Sequence, residues 1–362
     1  MLFHSSLRKE LSRNFGATLI VLLTIVMTMT LIRTLGQAST GTVNPAEISL
    51  VLGLTMLGQL PIILTMSLFI STVGTLSRMY LESEMVIWFV SGKGLRALLK
   101  PIFAFAWPIV LTVFALMLIV WPWSNQKISE LKIRYEQRGD LQRVAPGQFQ
   151  ESASGLRVFF IDKQSMENKD GKNIFISSSE HNKQAVTSAP KGHIESINNQ
   201  QFLVLENGQR IEQSATKQDI KVTNFASYSS KIGESHPLEE APQAKTIPSI
   251  QLLRAPLPGN MAELGWRLGV AMSALNVLII ALATTTGNPR VGRGGNLAQA
   301  LLLFIVYFNL INLGQSWQRA GKVELLPLIF MLHGGVFFTA VFWLIARHNH
   351  WDWRRIFQRT PS

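Results

Sequence analysis

One short polar segment, residues 77–94, combines two carboxylates with a row of bulky apolar side chains. The carboxylates belong to Glu82 and Glu84. At helical spacing the apolar residues fall on one stripe beside them, and two glycines predict where the helix ends. Such a helix can bind in a groove of a partner protein, or its stripe can pack on the chain's own helices or on lipid headgroups. The stripe consists of Leu81, Met85 and Trp88.

Several kinds of chemistry are excluded by residues that the chain lacks. It contains no cysteine, which excludes disulfides, thiolate nucleophiles and Fe–S clusters. It has no G-x-x-x-x-G-K-[ST] loop for nucleotide phosphates and no H-E-x-x-H pair for zinc. We therefore predict no catalytic residue, no metal site and no cofactor. His333 is a titratable residue within an apolar run, where it can bond a neighbouring helix or serve a function.

Six apolar runs are long enough to cross a bilayer as helices, which takes about 20 residues. None of them contains Asp or Glu. Charged residues make up 15% of the chain, against about 25% in an average soluble domain. This composition argues against an ordinary soluble enzyme. The runs are residues 15–35, 50–76, 101–121, 266–286, 297–316 and 325–346.

The basic residues predict the orientation of these spans. With the N-terminus in the cytoplasm, thirteen lysines and arginines lie in the inside segments and only Arg319 and Lys322 in the short outside loops. Because short cytoplasmic loops carry the excess of basic residues, we expect both termini in the cytoplasm. The formal net charge of +12 therefore reflects membrane topology and not a nucleic-acid surface.

The polar block between the third and fourth runs, residues 122–265, is predicted to lie outside. Its alternating polar and apolar residues indicate short β-strands, and Asn207-Gly208 between two of them is a hairpin-turn signal because both residues tolerate positive φ. Such strands predict an antiparallel sandwich or jelly roll. The predicted strands are residues 156–162, 173–178, 193–197, 201–206, 209–213 and 220–225.

The predicted fold is a membrane α + β protein with six transmembrane helices in a 3+3 arrangement and an inserted periplasmic β-jelly-roll domain. Residues 1–121 form the cytoplasmic N-terminus and the first three spans, with a cytoplasmic helix at about 80–90. Residues 122–265 form the β domain. Residues 266–346 form the last three spans, and residues 347–362 form a basic cytoplasmic tail.

Four short motifs occur in order on this frame. They are Tyr80-Leu-Glu-Ser-Glu84, Gly147-Gln-Phe-Gln150, Glu263-Leu-Gly-Trp-Arg267 and Asn288-Pro-Arg-Val-Gly-Arg293. Together with the predicted topology, they resemble the lipopolysaccharide export permease family, LptF/LptG, over nearly the whole chain. One departure is Gly265, where the family pattern favours a polar residue, often Asn.

The resemblance implies a non-catalytic transmembrane subunit of an ABC-type exporter in the bacterial inner membrane. Such a permease extracts lipopolysaccharide from the outer leaflet and passes it to a periplasmic bridge. It pairs with a second six-span permease of the LptG type and rests on a dimer of the ATPase LptB, which hydrolyses the ATP. Its β domain passes the lipid to the β-jelly-roll of LptC, and no nucleic acid is expected as a partner.

The family's coupling helix matches Tyr80–Val90, and its characteristic acid matches Glu84. The resemblance therefore implies that Glu84, with Glu82 beside it, bonds a basic group of the ATPase. The apolar stripe with Leu81, Met85 and Trp88 is then expected to fill the ATPase's groove.

The family's lipid cavity is lined by the first and fifth spans, which implies lipid contact for Arg33. Arginine binds phosphate through two parallel, charge-assisted hydrogen bonds, so Arg267 is a second candidate. The alternatives are anchors at the membrane interface, or an ion pair of Arg267 with Glu263. Arg290 and Arg293 can anchor the inside loop or touch anionic lipid or the ATPase.

Aromatic residues on the fifth span are candidates for contact with acyl chains, and helix packing is the alternative. They are Phe304, Tyr307 and Phe308. In the β domain, we expect Phe149 in the core and an edge strand that a partner strand can extend.

Two other classes of function stay open on the residues alone. One is a membrane-anchored sensor or assembly scaffold that binds a ligand or protein through its β domain. The other is an ion-coupled transporter, which the lack of acidic residues within the apolar runs argues against.

Overall fold

A computed structural model shows how the chain divides into two compact units. The first contains Met1–Ile32, Leu50–Ile128 and Pro242–Ser362, and the second contains Arg33–Ser49 and Ser129–Ala241. Long helices dominate the first unit, and the second contains a β-sheet. The structure describes residues 2–39, 43–92, 94–136, 149–151, 157–160, 171–180, 183–197, 200–214, 220–232, 243–285 and 292–348.

Within these residues, six helical stretches are long and apolar enough to cross a membrane. Three precede the sheet in the sequence and three follow it, so the predicted 3+3 arrangement is confirmed. The helices are α1 (Leu2–Ser39), α2 (Ile48–Leu81), α3 (Glu84–Val90), α4 (Arg96–Ala115), α5 (Trp121–Glu136), α6 (Ser249–Arg254), α7 (Pro258–Thr284), α8 (Gly292–Arg319), α9 (Leu325–Ile329) and α10 (Gly335–His348).

Two of the spans contain a π-helical turn. Leu116–Val120 joins α4 to α5 in the third span, and Phe330–Gly334 joins α9 to α10 in the sixth. The third span continues to Glu136, beyond the end of its apolar run. The fourth span begins at Pro258, before the predicted residue 266. Proline suits this position because its φ is already helical and its missing N–H costs no hydrogen bond there.

α7 is the central helix of the first unit. Most of its apolar stretch is buried, whereas almost none of the apolar stretch of α1 is buried. A Cβ at Gly269 would lie 2.9 Å from Nε2 of His333, and one at Gly265 would lie 2.3 Å from Oε1 of Gln318. These glycines let the neighbouring helices approach closely, as is common between membrane helices. The close approach of Gln318 leaves little room for a larger side chain at Gly265 unless Gln318 moves.

The second unit contains an antiparallel sheet whose described strands pair in the order of the sequence. This confirms a β domain inserted between the third and fourth spans. The described part of the predicted jelly-roll domain is a meander, in which each strand pairs with the one before it. The strands are β1 (Phe149–Glu151), β2 (Arg157–Phe160), β3 (Gly171–Glu180), β4 (Lys183–Ile197), β5 (Gln200–Ser214) and β6 (Ile220–Ile232).

The predicted hairpin at Asn207-Gly208 is wrong. Both residues lie inside β5, so the two strands predicted on either side of them are one strand. Asn207 does have a positive φ of 51°. The chain nevertheless does not reverse there, because β5 pairs with β4 and β6 both before and after this residue. The positive φ therefore marks a kink within a strand.

Asn207 belongs to a line of irregular positions across the sheet, which we call the crease. By the register of the strands, Asn173 of β3 stands opposite Pro190 of β4, and Pro190 stands opposite Asn207. Asn173 also has a positive φ, of 48°. Proline has no N–H to donate to a neighbouring strand. The crease therefore interrupts the ladder of backbone hydrogen bonds.

Replacing Gly269 by alanine should destabilise the helical unit. The added Cβ must displace His333 and Ile311, which typically costs about 1–3 kcal/mol, and a gain in helix propensity of at most about 1 kcal/mol offsets only part of this cost. We expect a lower thermal unfolding midpoint in detergent, measured by circular dichroism. Gly53→Ala is the control, because a Cβ at Gly53 meets open space. Equal midpoints for both variants would contradict the packing described for α7.

Candidate functional site

α3 is a short helix that connects the second and third spans. The second span ends at Leu81, and Glu82 and Ser83 form a turn before α3 begins at Glu84. Ser83 has a φ of 59°, in the left-handed region. Because this turn breaks the helix, the predicted helix over residues 80–90 consists of two helical segments. Leu81 therefore belongs to α2, and its side chain does not extend the apolar stripe of α3.

Arg78, in the last turn of α2, is the centre of an ion-pair cluster with three carboxylates. Its Nη1 lies 2.8 Å from Oε1 of Glu84. It also pairs with Glu82 and forms two parallel hydrogen bonds with Glu10 of α1. We call these four residues the Arg78 cluster. The side chain of Glu10 is 12% exposed and that of Glu84 is 39% exposed, so Glu84 stays accessible to a partner.

The apolar residues of α3 divide between two faces. Met85 is buried in the chain's own core, and Trp88 packs against the same core. Ile87 is 70% exposed and Val90 is 83% exposed, and the exposed face also includes Val86 and Phe89. The predicted contact stripe therefore needs a correction, because two of its members, Met85 and Trp88, hold α3 in place. The surface open to a partner is the face with Val86, Ile87, Phe89 and Val90, which we call the outer face of α3.

A second arginine ties the end of α2 to other spans. Arg347 of α10 donates from Nη1 to the carbonyl oxygens of Ala283, at 2.6 Å, and Thr285, at 2.8 Å. These carbonyls belong to the last residues of α7 and its C-cap, where a helix has unsatisfied acceptors. Nη2 of Arg347 also lies 3.2 Å from the hydroxyl of Tyr80. The second, fourth and sixth spans are thus joined beside α3.

Arg78, Glu10 and Arg347 were not among the residues predicted to be functional. The spacing of Arg78 and Glu82, four residues apart, is a signal for an ion pair on one helix face. Glu10 is the one acidic residue among the first 46 residues. The pairing of Glu10 with Arg78 spans 68 positions in the sequence, and no local pattern reveals it.

Arg267, predicted as a contact for lipid phosphate, is fully buried at 0% exposure. Its Nε lies 3.0 Å from Oε1 of Glu263, the predicted alternative partner. The guanidinium also donates to the carbonyl oxygens of Ala244, Lys245 and Ile247 and to the hydroxyl of Ser249. Because all its donating nitrogens have protein partners, Arg267 holds the segment before α6 against α7. The prediction of lipid contact is corrected accordingly.

Glu263 completes this buried network. Besides Arg267, its carboxylate accepts a hydrogen bond from Nε1 of Trp121 at 2.9 Å and one from Gln315 at 3.3 Å. A buried carboxylate needs such partners because its desolvation costs several kcal/mol. The network therefore joins the third, fourth and fifth spans to the segment that follows the β domain in the sequence.

Arg33 differs from Arg267 because its side chain is exposed. It lies near the end of α1, on a helix whose apolar stretch is exposed or half-buried at nearly every residue. An exposed guanidinium near the end of a span can reach a phosphate or the membrane interface. The predicted lipid contact of Arg33 therefore remains a prediction.

The aromatic residues predicted on the fifth span face the chain's own helices. Phe304 and Tyr307 are buried in a core cluster formed with α7, and Phe308 is half-buried against that cluster. The rings of Phe304 and Phe308 are stacked, with centroids 6.1 Å apart. Packing, the stated alternative, therefore accounts for Phe304 and Tyr307, and only Phe308 keeps surface for acyl chains.

His333 is part of a buried polar group in the π-helical turn of the sixth span. The hydroxyl of Tyr307 lies 2.7 Å from Nδ1 of His333. Nδ2 of Asn276 donates to this hydroxyl at 2.7 Å and to the carbonyl oxygen of His333 at 3.0 Å. Bonds of this kind between helices are the structural alternative stated for His333. They hold the fourth, fifth and sixth spans together.

One surface of the sheet is concave and lines an open cavity of about 900 Å³. Aromatic rings line it, with amides of the crease between them. Phe149, expected in the core, is 69% exposed, and its ring lies 4.8 Å from that of Phe160. The concave surface can hold an apolar chain. Its lining includes Phe149, Phe160, Phe175, Phe225, Asn173 and Asn207.

Some predicted positions fall outside the residues that the structure describes. They include Gly147, Gln148, residues 286–291 with Arg290, and residues 349–362 of the predicted basic tail, and the side chain of Arg293 is likewise not described. The predicted roles of Arg290 and Arg293 stay open.

Comparisons with known proteins agree with the frame of spans and sheet. The family model described as lipopolysaccharide export system permease LptF/LptG matches residues 7–347. Similar proteins are named lipopolysaccharide export system permease protein LptF, among them those of Escherichia coli (strain K12) and Shigella flexneri. Each is 26% identical over 350 residues, which cover 95% of this chain and 93% of the relative.

Arg267→Met should destabilise the folded chain strongly. Removing one partner of a buried ion pair leaves Glu263 with an unpaired charge, which typically costs about 3–5 kcal/mol. The measurement is thermal unfolding of the purified chain in detergent. Arg319→Met is the control, since Arg319 is exposed at the end of α8 and such a change usually stays within about 0.5 kcal/mol. A midpoint for Arg267→Met equal to that of the control would show that the network does not stabilise the fold.

Proposed function

The chain belongs to the lipopolysaccharide export permease family LptF/LptG, and from this we propose that it is a transmembrane subunit of an ABC-type lipopolysaccharide exporter. The observation that carries the proposal is the family match over residues 7–347, which includes the six candidate spans and the sheet. In this proposal the chain extracts lipopolysaccharide from the outer leaflet of the inner membrane. It then passes the lipid to a periplasmic bridge.

Energy for this transport comes from a partner ATPase of the LptB type. The chain lacks the phosphate-binding loop that a nucleotide hydrolase of that class needs. The outer face of α3 supports a docking role, because four apolar side chains are exposed next to the accessible carboxylate of Glu84. An amphipathic helix of this kind binds in a groove of a partner. Glu84 then pairs with a basic group of the ATPase at the rim of the groove.

The lipid path runs along the first and fifth spans. Support comes from α1, whose apolar stretch has almost no buried residue, and from exposed apolar side chains on α8 such as Leu302 and Ile305. These surfaces suit acyl chains and the spans of a second permease of the LptG type. Arg33 binds a lipopolysaccharide phosphate near the outer end of the first span. Phe308 contributes to the apolar wall.

The β domain receives the lipid after it leaves the membrane. Its aromatic concave surface can hold acyl chains, and its described strands leave β6 at an edge of the sheet. An unpaired edge is otherwise a site of unwanted association. A strand of the LptC-type partner pairs with this edge, which extends the sheet from one protein to the next.

The chain is a multi-pass protein of the bacterial inner membrane in this proposal. The β domain lies in the periplasm, and α3 and both termini lie in the cytoplasm. The support is the count of thirteen basic residues in the inside segments against two in the short outside loops.

Affinity purification of the chain in mild detergent should recover an ATPase and a similar six-span permease. Reconstituted with lipopolysaccharide in proteoliposomes, the complex should release the lipid only with ATP. Ile87→Glu should lower recovery of the ATPase by at least about tenfold, since a charge buried in an apolar groove costs several kcal/mol. The matched control is Ile250→Glu, because Ile250 is equally exposed but lies on α6. If neither protein accompanies the wild-type chain, or if Ile87→Glu binds normally, the proposed docking is wrong.

A photocrosslinking amino acid at position 33 should capture lipopolysaccharide in the reconstituted complex. In the proposal, the exposed side chain of Arg33 contacts a phosphate of the lipid, so a crosslinker at this position lies next to it. The same amino acid at Leu326, exposed at the start of the sixth span, is the control. The readout is a lipid-linked band on a gel that reacts with an antibody to lipopolysaccharide. Equal capture at both positions would show that the contact at position 33 is ordinary contact with the bilayer.

A further inference from the structure

The Arg78 cluster connects the proposed docking helix with the first span. We infer that Arg78 is a positioning residue that transmits the movement of α3 to the first span, through the bridge from Glu84 to Arg78 to Glu10. This inference rests on the proposed function, since it needs an ATPase that moves α3 and a lipid path beside the first span.

The two ends of this bridge differ in a way that suits transmission. Glu10 forms two parallel bonds with the guanidinium, one to Nε and one to Nη2, and its side chain is largely shielded from water. Such a fork fixes the relative orientation of the two groups as well as their distance. Glu84 instead stays accessible. A cation of the ATPase can therefore reach Glu84 while the bond between Arg78 and Glu10 persists.

The charges of the cluster favour an exchange of partners. Three carboxylates share one guanidinium, which gives the four groups a formal net charge of −2. A cation that approaches Glu84 compensates part of this excess and shares the carboxylate of Glu84 with Arg78, so that the bridge persists. Arg78 then shifts its hydrogen bonds towards Glu10 and Glu82. The position of the guanidinium thus depends on whether the ATPase is engaged.

The packing of α1 near the Arg78 cluster explains why the first span responds to a displacement of Glu10. Among the side chains of α1 that the structure describes, the buried apolar ones are Leu7 and Leu11, and both belong to the core cluster that contains Met85 of α3. Nearby, Asn14 donates to the hydroxyl of Thr75 on α2 at 2.8 Å. Beyond these residues, most described side chains of α1 are exposed or half-buried, with Thr30 and Thr34 buried farther along. A displacement at Glu10 therefore acts on α1 at the end where its buried leucines pack.

The hydrogen bonds of Arg347 hold the end of α2 in place next to the Arg78 cluster. They join Tyr80, near the end of α2, to the carbonyl oxygens at the end of α7. α7 is the most buried helix of the unit. The end of α2 is therefore held to the core of the spans, and the side chain of Arg78 can move relative to it.

Glu10→Gln tests the inference in the purified complex with the ATPase and the second permease. The amide keeps the shape of the side chain but removes the charge. We expect the lipopolysaccharide released per ATP hydrolysed to fall at least about fivefold, the lower end of the usual coupling between sites. Recovery of the ATPase should match the wild type, and the thermal unfolding midpoint should fall only slightly, because Arg78 keeps Glu82 and Glu84 as partners. Glu10→Asp, which keeps the charge, should restore most of the ratio.

A double-mutant comparison separates transmission from independent effects. If the bridge acts as a unit, Glu10→Gln should lower the ratio no further in a chain that already carries Arg78→Gln. Glu324→Gln is the control, since Glu324 is an exposed acid before the sixth span. The inference would be overturned if the effects of the two changes multiply in the double variant. It would also be overturned if the Glu10→Gln variant keeps the wild-type ratio, or if that variant loses much of its stability. Failure of the wild-type chain to bind any ATPase would instead overturn the proposed function.

Discussion

The structure depends on close approach of backbones around α7. In a bilayer, burial of apolar surface does not drive helices together, because lipid tails are as apolar as the side chains. Association therefore relies on small residues and on hydrogen bonds between helices. Gly265 and Gly269 provide the space, and the buried group of Asn276, Tyr307 and His333 provides the bonds. The exposed spans are positioned by this tightly packed centre.

The number of partners and the burial of each arginine distinguish three kinds of role. Arg267 is fully buried and has five partners, so it fastens the segment before α6 to α7. Arg78 shares partly accessible partners, which suits a group that exchanges them. Arg33 is exposed near the end of α1, which suits the proposed contact with a ligand. The three arginines thus have different surroundings, and these suit a structural bond, the proposed exchange of partners and the proposed recognition of lipid.

α3 illustrates how a short pattern can be interpreted only in part. Its carboxylates and apolar residues correctly indicated a helix between the second and third spans. The turn at Ser83 was not predicted, because serine seldom adopts a positive φ. With that turn, α3 rotates relative to α2, so Met85 points into the core and Ile87 outward. Which side of a short helix faces outward depends on its neighbours, and its own periodicity does not determine this.

The six spans, their 3+3 arrangement and the inserted β domain could be predicted from the amino-acid sequence, because long apolar runs and alternating polar and apolar residues are local signals. The partners of the charged residues, in contrast, depend on how whole elements pack. The pair of Glu10 and Arg78 joins residues 68 positions apart, and Phe304 and Tyr307 of α8 are buried because α7 packs against them. The kink at Asn207 likewise required the registers of three strands. Such contacts depend on the arrangement of whole elements, and this information is not present in any short stretch of sequence.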